Sequence, residues 1–97
     1  MRHFYRSQLS PAQVLVAADE FFPSIALGQH ATAPRSRTYM GALGKLALTV
    51  RPEGGHYTFV EAQTDQMGES RMDRNVKRFF VRLHRTEEPA HRVEAAY

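Results

Sequence analysis

Residues 70–85, SRMDRNVKRFFVRLHR, predict the amphipathic helix around which the fold is organised. Ser70 is the predicted N-cap, and Asp73 places negative charge near the positive end of the helix. At 100° per residue, the apolar side chains and the arginines fall in two narrow arcs that lie almost opposite each other. The apolar arc contains Met72, Val76, Phe79, Phe80 and Leu83. The second arc, which we call the arginine stripe, contains Arg71, Arg74, Arg78, Arg82 and Arg85.

An earlier helix is predicted to begin after Ser10. Pro11 occupies its first helical position, and Gln13 completes an S-x-x-Q capping box. We expect this helix to end at about Phe22, because Pro23 interrupts helical hydrogen bonding. Its broad apolar face contains Val14, Leu15, Ala18, Phe21 and Phe22. Such a face predicts packing against a sheet.

The rest of the chain is dominated by strand patterns. Residues 3–8 alternate and predict a first strand, whereas residues 25–30 fit a strand only weakly and are followed by ATAPRS, a predicted loop. Residues 37–43 and 45–51 alternate again. A Pro-Glu-Gly-Gly turn then leads into residues 56–63, which predicts a hairpin.

This order, β-α-β-β-β-α, predicts a single α+β domain over residues 1–97. We expect two layers, with a curved, mostly antiparallel sheet of three to four strands and both helices on one face. The other face would stay partly apolar, presenting either Tyr57 and Phe59 or Thr58 and Val60. A sheet face or edge left open in so small a domain often pairs with a second copy, so we expect a homodimer.

The composition of the 97 residues is that of a globular domain, with 42% hydrophobic and 24% charged residues. There is no cysteine, which excludes disulfides, thiolate catalysis and cysteine-based zinc sites. No apolar run approaches the roughly 18 residues that span a membrane. The first nine residues lack the apolar core of a signal peptide, so we expect a cytoplasmic protein. The tail after about residue 86 is expected to fray or to dock only in an oligomer.

No stretch matches a catalytic or metal-binding motif. The segment GALGK at residues 41–45 is two residues too short between its glycines for a phosphate-binding loop. It resembles the GxxG loop of K-homology domains, but in strand-like sequence its glycines indicate a bulge or turn. Tyr57 and Glu61 are the one acid–base pair that shares a strand face. We therefore predict no catalytic residue, no metal and no cofactor.

The arginine stripe has three interpretations. It fits a solvated helix face, either alone or paired with acids of a partner chain, a phosphate-binding surface for nucleic acid, or a site for an acidic small molecule or protein. Nucleic-acid readers usually add exposed aromatic side chains, and the aromatic residues of this helix lie on the core side.

Aromatic residues predicted between helices and sheet form the second candidate site. They could line a pocket for a small hydrophobic or acidic ligand, although the same rings could simply fill the core. The predicted lining residues are Phe22, Tyr39, Tyr57, Phe59, Phe79 and Phe80.

The strand that leads into SPAQV at residues 10–14, together with the long helix near the C-terminus, resembles START and Bet v1-like helix-grip domains. The resemblance covers about a third of the chain. It implies a hydrophobic ligand held between that helix and a curved antiparallel sheet. Those domains are longer and have more strands, so the resemblance implies a shortened form with a reduced cavity or none.

The sequence as a whole favours a small non-enzymatic binding or protein-interaction module that forms a homodimer. The first alternative is a small-ligand site between helix and sheet. The second is nucleic-acid binding through the arginine stripe.

Overall fold

The computed structural model describes residues 1–87, which form five strands and two helices. In chain order the elements are β1 (Arg2–Ser7), α1 (Pro11–Ser24), β2 (Gly28–Ala33), β3 (Ser36–Gly41), β4 (Gly44–Glu53), β5 (Tyr57–Thr64) and α2 (Arg71–Glu87). The strands form one sheet in the spatial order β1-β5-β4-β3-β2, and every neighbouring pair is antiparallel. The predicted α+β class is confirmed.

The sheet has five strands, whereas three to four were predicted. The additional strand also makes the element order β-α-β-β-β-β-α instead of the predicted β-α-β-β-β-α. The difference lies in β2, which runs on to Ala33 through part of the segment predicted to be a loop. This edge strand is exposed along its whole length. Its sequence therefore lacks the alternation of buried apolar residues that identifies a half-buried strand. The predicted fraying after about residue 86 concerns residues 88–97, which lie outside the described residues.

Both helices pack against one face of the sheet, and the core lies between them and that face. The predicted alternation in β4 is confirmed, because Leu46, Leu48 and Val50 are buried. Val60 lies opposite Val50 in the neighbouring strand, and Ala62 lies opposite Leu48. The central strands therefore contribute two adjacent rows of apolar side chains to the core.

The predicted apolar arc of α2 faces this core. Four of its members are fully buried, and Phe80 is partly buried at the edge of the cluster. The predicted start is also present, since the backbone N–H of Asp73 donates to Ser70 Oγ at 3.1 Å. The buried members of the arc are Met72, Val76, Phe79 and Leu83.

The first helix, α1, has the predicted capping box between Ser10 and Gln13. It continues through Pro23, so the predicted end at Phe22 is two residues early. A proline in the last turn removes a single backbone hydrogen bond, which α1 tolerates. The chain then leaves the helix through Ala26, whose φ is 66°.

The turn after α1 has the hydrogen-bond pattern of a Schellman motif. The N–H of Leu27 donates to the carbonyl of Phe22 at 3.0 Å, and that of Ala26 donates to the carbonyl of Pro23 at 3.0 Å. This motif places its left-handed residue at a position where glycine is preferred, because a Cβ is strained there. Here the position is occupied by alanine.

Replacing Ala26 with glycine is expected to stabilise the protein by about 0.5–1 kcal/mol. The change relieves left-handed strain and outweighs the extra freedom that glycine gains in the unfolded chain. Urea unfolding monitored by circular dichroism measures the difference. Ala17→Gly, within α1, is the matched control and should lower stability by about the same amount. Destabilisation by both changes would contradict a strained Ala26.

Replacing Phe79 with alanine is expected to lower the free energy of unfolding by about 3–5 kcal/mol, because the ring is fully buried between helices and sheet. Val81→Ala, two residues along the same helix, removes an exposed side chain and should change it by less than about 0.5 kcal/mol. Chemical unfolding of both variants tests which face of α2 is inward. Similar losses in the two variants would show that the helix is oriented differently.

Candidate functional site

The six aromatic residues predicted to line a pocket lie on both sides of the sheet. Phe22, Tyr39 and Phe79 are fully buried in the core. The ring centroid of Phe22 lies 5.0 Å from that of Tyr39 and 5.0 Å from that of Phe79. Phe80 is partly buried and stacks on Tyr5 with a centroid distance of 5.3 Å. These four rings therefore pack against one another and the core rather than around an open space.

The other two predicted residues, Tyr57 and Phe59, project from the opposite face of the sheet. Their neighbours Thr58 and Val60 are buried under the helices, which decides between the two alternatives left by the strand pattern. Neither helix packs on the face that carries Tyr57 and Phe59, which we call the open face. The six aromatic residues thus do not surround one site.

An aromatic patch, consisting of Phe4, Tyr57 and Phe59, occupies the β1–β5 side of the open face. Phe4 and Tyr57 retain 53% and 46% of their accessible surface. The rings of Phe4 and Phe59 are 5.5 Å apart. Two arginines flank the Phe59 ring, with the guanidinium carbon of Arg51 4.5 Å and that of Arg6 5.8 Å from its centroid. Each contact is within cation–π distance.

Sequence reasoning missed Phe4, Arg6 and Arg51 as members of this surface. The alternation of residues 3–8 places Phe4 and Arg6 on one strand face. It does not show that β1 pairs with β5, which brings Arg6 opposite Phe59. Arg51 reaches the same ring from β4, on the other side. The patch is therefore a product of strand order, which no local pattern reveals.

The open face carries charges of both signs. Arg6 donates to Glu53 at 2.6 Å, and Arg2 and Lys45 add further positive charge. Glu61 lies opposite Phe4 on one side and Thr49 on the other. Among residues 1–87 this carboxylate has no ion-pair partner.

The arginine stripe is exposed along the outer side of α2, as predicted. Within residues 1–87, none of its five side chains forms an ion pair with a carboxylate. Arg78 donates to the side-chain oxygen of Asn75 at 3.1 Å, and the guanidinium of Arg82 lies 5.9 Å from the centroid of Phe21. Across the residues that the structure describes, the stripe is therefore a positively charged surface without a directly paired carboxylate.

Part of the stripe lines an open cleft of about 440 Å³ between α1 and α2, which we call the basic cleft. Its lining residues are Phe21, Lys77, Arg78, Val81, Arg82 and Arg85. Arg71 and Arg74, nearer the start of α2, do not line it. The structure thus brings three of the five stripe arginines together around an apolar floor.

Two smaller predictions concern the Tyr57–Glu61 pair and the GALGK segment. Tyr57 and Glu61 share the open face, but four strand residues separate them by about 13 Å, too far for a hydrogen bond. Gly41 and Gly44 are paired at the turn between β3 and β4, which confirms the predicted turn. A side chain on Gly41 would meet the Ala26 carbonyl, and Gly44 has a φ of 127°. Both glycines are explained by backbone geometry.

A buried polar cluster centred on Asp73 joins the start of α2 to the sheet, and sequence reasoning predicted only its helix-capping part. Asp73 Oδ1 accepts hydrogen bonds from Thr64 at 2.9 Å and lies 2.8 Å from His3 Nε2. Ser70 donates to the other carboxylate oxygen. Burial alone would raise the pKa of Asp73, but the hydrogen bonds from Ser70, His3 and Thr64 outweigh it and lower the pKa to about 2.

A second carboxylate, Asp19 of α1, anchors the other end of the sheet. It accepts a hydrogen bond from the Tyr39 hydroxyl at 2.6 Å and forms an ion pair with Arg37 at 3.2 Å. Burial, followed by the neighbouring Asp19, raises the pKa of Tyr39 well above its usual range. The hydroxyl of this predicted ligand residue is thus already used within the fold.

No family model matches the chain, and no curated protein matches it. The resemblance to helix-grip domains stays a prediction from the sequence. In the part of the chain described, residues 1–87, no three or more His, Asp or Glu side chains are grouped to hold a metal ion. Neither described helix is long and apolar enough to span a membrane. The aromatic patch and the basic cleft are therefore the two candidate sites.

The lowered pKa of Asp73 predicts a specific acid sensitivity. The ionised carboxylate should contribute roughly 2 kcal/mol of stability above pH 4, which is lost as the pH falls towards 2, because the unfolded chain takes up the proton first. Urea unfolding at pH 6 and at pH 2.5 measures the loss. Between these two pH values, Asp73→Asn should lose about 1–2 kcal/mol less than the natural protein. Equal losses would show that another carboxylate is responsible.

Proposed function

We propose that this protein is a non-enzymatic binding module that works as a homodimer, with two copies joined through their open faces. The aromatic patch carries this proposal. Phe4 and Tyr57 are about half exposed on a sheet face that no helix of residues 1–87 covers. Aromatic side chains are the residues most often found as anchors at the centre of protein interfaces.

Charge supports a second copy as the occupant of the open face. Arg2 and Arg51 lie on the same face as Glu61, so a two-fold axis can bring a positive group of one copy opposite a negative group of the other. A nucleic acid fits less well, because phosphates would meet Glu53 and Glu61. The contacts that Arg51 and Phe4 make with Phe59 also leave its ring less accessible to a stacked base.

The size of the open face also supports a dimer. Five strands of six to ten residues give a sheet about 24 Å wide and about 20–33 Å long. This corresponds to roughly 500–800 Å² of flat surface, close to the ~800 Å² per partner of a standard interface.

Pairing through the β2 edge is less favourable than pairing through the face. The register of β2 shifts between Gln29 and Ala31, and such a bulge interrupts the regular ladder that a second strand would extend. We therefore propose the open face, and not the β2 edge, as the surface of contact between the two copies.

Replacing Phe4 with aspartate tests the proposal directly. The natural protein should sediment at equilibrium with twice the mass of one chain at micromolar concentration. Phe4→Asp should raise the dissociation constant at least about tenfold, because the interface would then bury an unpaired charge. Its folding is checked by circular dichroism, since the side chain is half exposed.

The matched control is Met67→Asp, which makes the same kind of change at a loop residue that is 95% exposed. It should leave the dimer intact. A natural protein that remains monomeric at several hundred micromolar would remove the dimer. A Phe4→Asp variant that dimerises as tightly as the natural chain would place the contact on another surface.

A further inference from the structure

A second open cleft, of about 370 Å³, adjoins the basic cleft along the boundary between α1 and α2. Its apolar surface comes from Leu9, Ala12, Val16 and Ala17, and we call it the apolar cleft. Arg82 lines both clefts, so they meet at its side chain. No strand residue lines either cleft. We call the two adjoining clefts together the groove; it lies on the helix layer, and the aromatic patch lies on the other side of the sheet.

The side chains at the basic end of this groove favour an anionic ligand. In the described part of the chain, no acidic side chain lines it. Arg78, Arg82 and Arg85 have no ion-pair partner within residues 1–87, and Lys77 pairs with Glu69 at 2.6 Å in an exposed contact. Guanidinium groups bind carboxylate and phosphate through paired hydrogen bonds, which favours an anionic group at this end.

The other end is lined mainly by aliphatic side chains, and its polar lining residues besides Arg82 are Gln13, Glu20 and Thr86. Val16 retains 58% of its accessible surface, and the partly buried Leu9 packs against the core at the margin of this cleft. From Phe21 to Ala12 the groove follows nine residues of α1, or about 13 Å. Covering this apolar surface removes it from water, which is favourable.

We propose that the groove binds a single-chain anionic amphiphile. Its carboxylate or phosphate lies among Arg78, Arg82 and Arg85, and its alkyl chain runs along α1 over Val16 towards Leu9. This inference goes beyond the proposed homodimer and does not depend on it, because the groove and the open face share no residue.

The dimensions and the charges favour this occupant over larger ones. Each cleft has a volume in the range of small-molecule sites, about 300–1,000 Å³. A nucleic acid would draw on the whole stripe, including Arg71 and Arg74, and would gain nothing from the apolar cleft. An amphiphile uses the three arginines of the basic cleft and the apolar surface together.

Dodecyl phosphate, kept below its micellar concentration, is a suitable probe for the natural protein. Isothermal titration calorimetry should give one site per chain, at least about tenfold tighter than for inorganic phosphate or for the neutral dodecyl maltoside. In a heteronuclear NMR titration, the shifted amide signals should centre on Val16, Phe21 and Arg82. This comparison of ligands needs no variant.

Paired variants locate the two ends of the ligand. The double change Arg78→Gln and Arg85→Gln should weaken dodecyl phosphate binding about tenfold or more, whereas Arg74→Gln, on the stripe but outside the cleft, should change it less than about twofold. Val16→Asp should weaken it similarly, and Met67→Asp should leave it unchanged. All five residues are exposed, and circular dichroism verifies that each variant is folded.

Several results would overturn the proposal. Equal affinity for inorganic phosphate would reduce the groove to a simple anion site, and equal affinity for dodecyl maltoside would remove the role of the arginines. NMR shifts centred on Phe4 and Tyr57 would place the ligand on the open face. Binding to anionic phospholipid vesicles without binding to the monomeric probe would indicate a membrane surface. Single-stranded DNA binding that Arg74→Gln weakens as much as Arg78→Gln would indicate a nucleic-acid interface.

Discussion

The contact of Phe22, Tyr39 and Phe79 joins the three parts of this fold. One ring comes from each helix and one from the sheet, and all three are fully buried. Once Phe79 faces this contact, the 3.6-residue period of α2 fixes the direction of every other side chain on the helix. The arginine stripe must then face water. The outward charge of the protein thus follows from the packing of its core.

The two ends of α2 are held by carboxylates that both reach β1. At the start of the helix, buried Asp73 contacts His3. At its end, Glu87 accepts hydrogen bonds from the Tyr5 hydroxyl and from Ser7 Oγ, the latter at 2.8 Å. The helix is therefore aligned along β1, which has β5 as its one neighbouring strand among residues 1–87. The contacts of Asp73 and Glu87 with β1 therefore add to the backbone hydrogen bonds that β1 forms with β5.

Local sequence patterns predicted the parts of this structure that depend on interactions between residues close together in the chain. The capping box at Ser10, the buried arc containing Phe79 and the turn at Gly41 each depend on neighbouring residues, and each was found. The edge strand β2 was predicted only in part, because its exposed positions carry no apolar alternation. The end of α1 was placed too early because proline's effect in a last turn is smaller than in a helix interior.

The candidate sites were harder to predict than the fold because each is assembled from distant residues. Phe4 meets Phe59 only through the pairing of the first and last strands, 55 residues apart in the chain. The stripe was readable as an arc of one helix. Which of its arginines line the basic cleft depends on where α1 packs against α2, and the helical period does not predict that position. Aromatic residues looked like pocket lining because composition does not distinguish a filled core from a cavity.

The open face and the basic cleft differ in charge, and this difference limits what each can bind. The open face mixes arginine with glutamate around aromatic rings, a pattern that is complementary to itself under two-fold symmetry. Among residues 1–87, the lining of the basic cleft has one sign of charge and no acid, so a second copy of the same cleft would be repelled rather than bound. We therefore assign the proposed self-association to the sheet and the proposed anionic ligand to the helices. Joining two sheets face to face would leave both helix layers outward, so that the groove of each copy lies away from the contact between the copies.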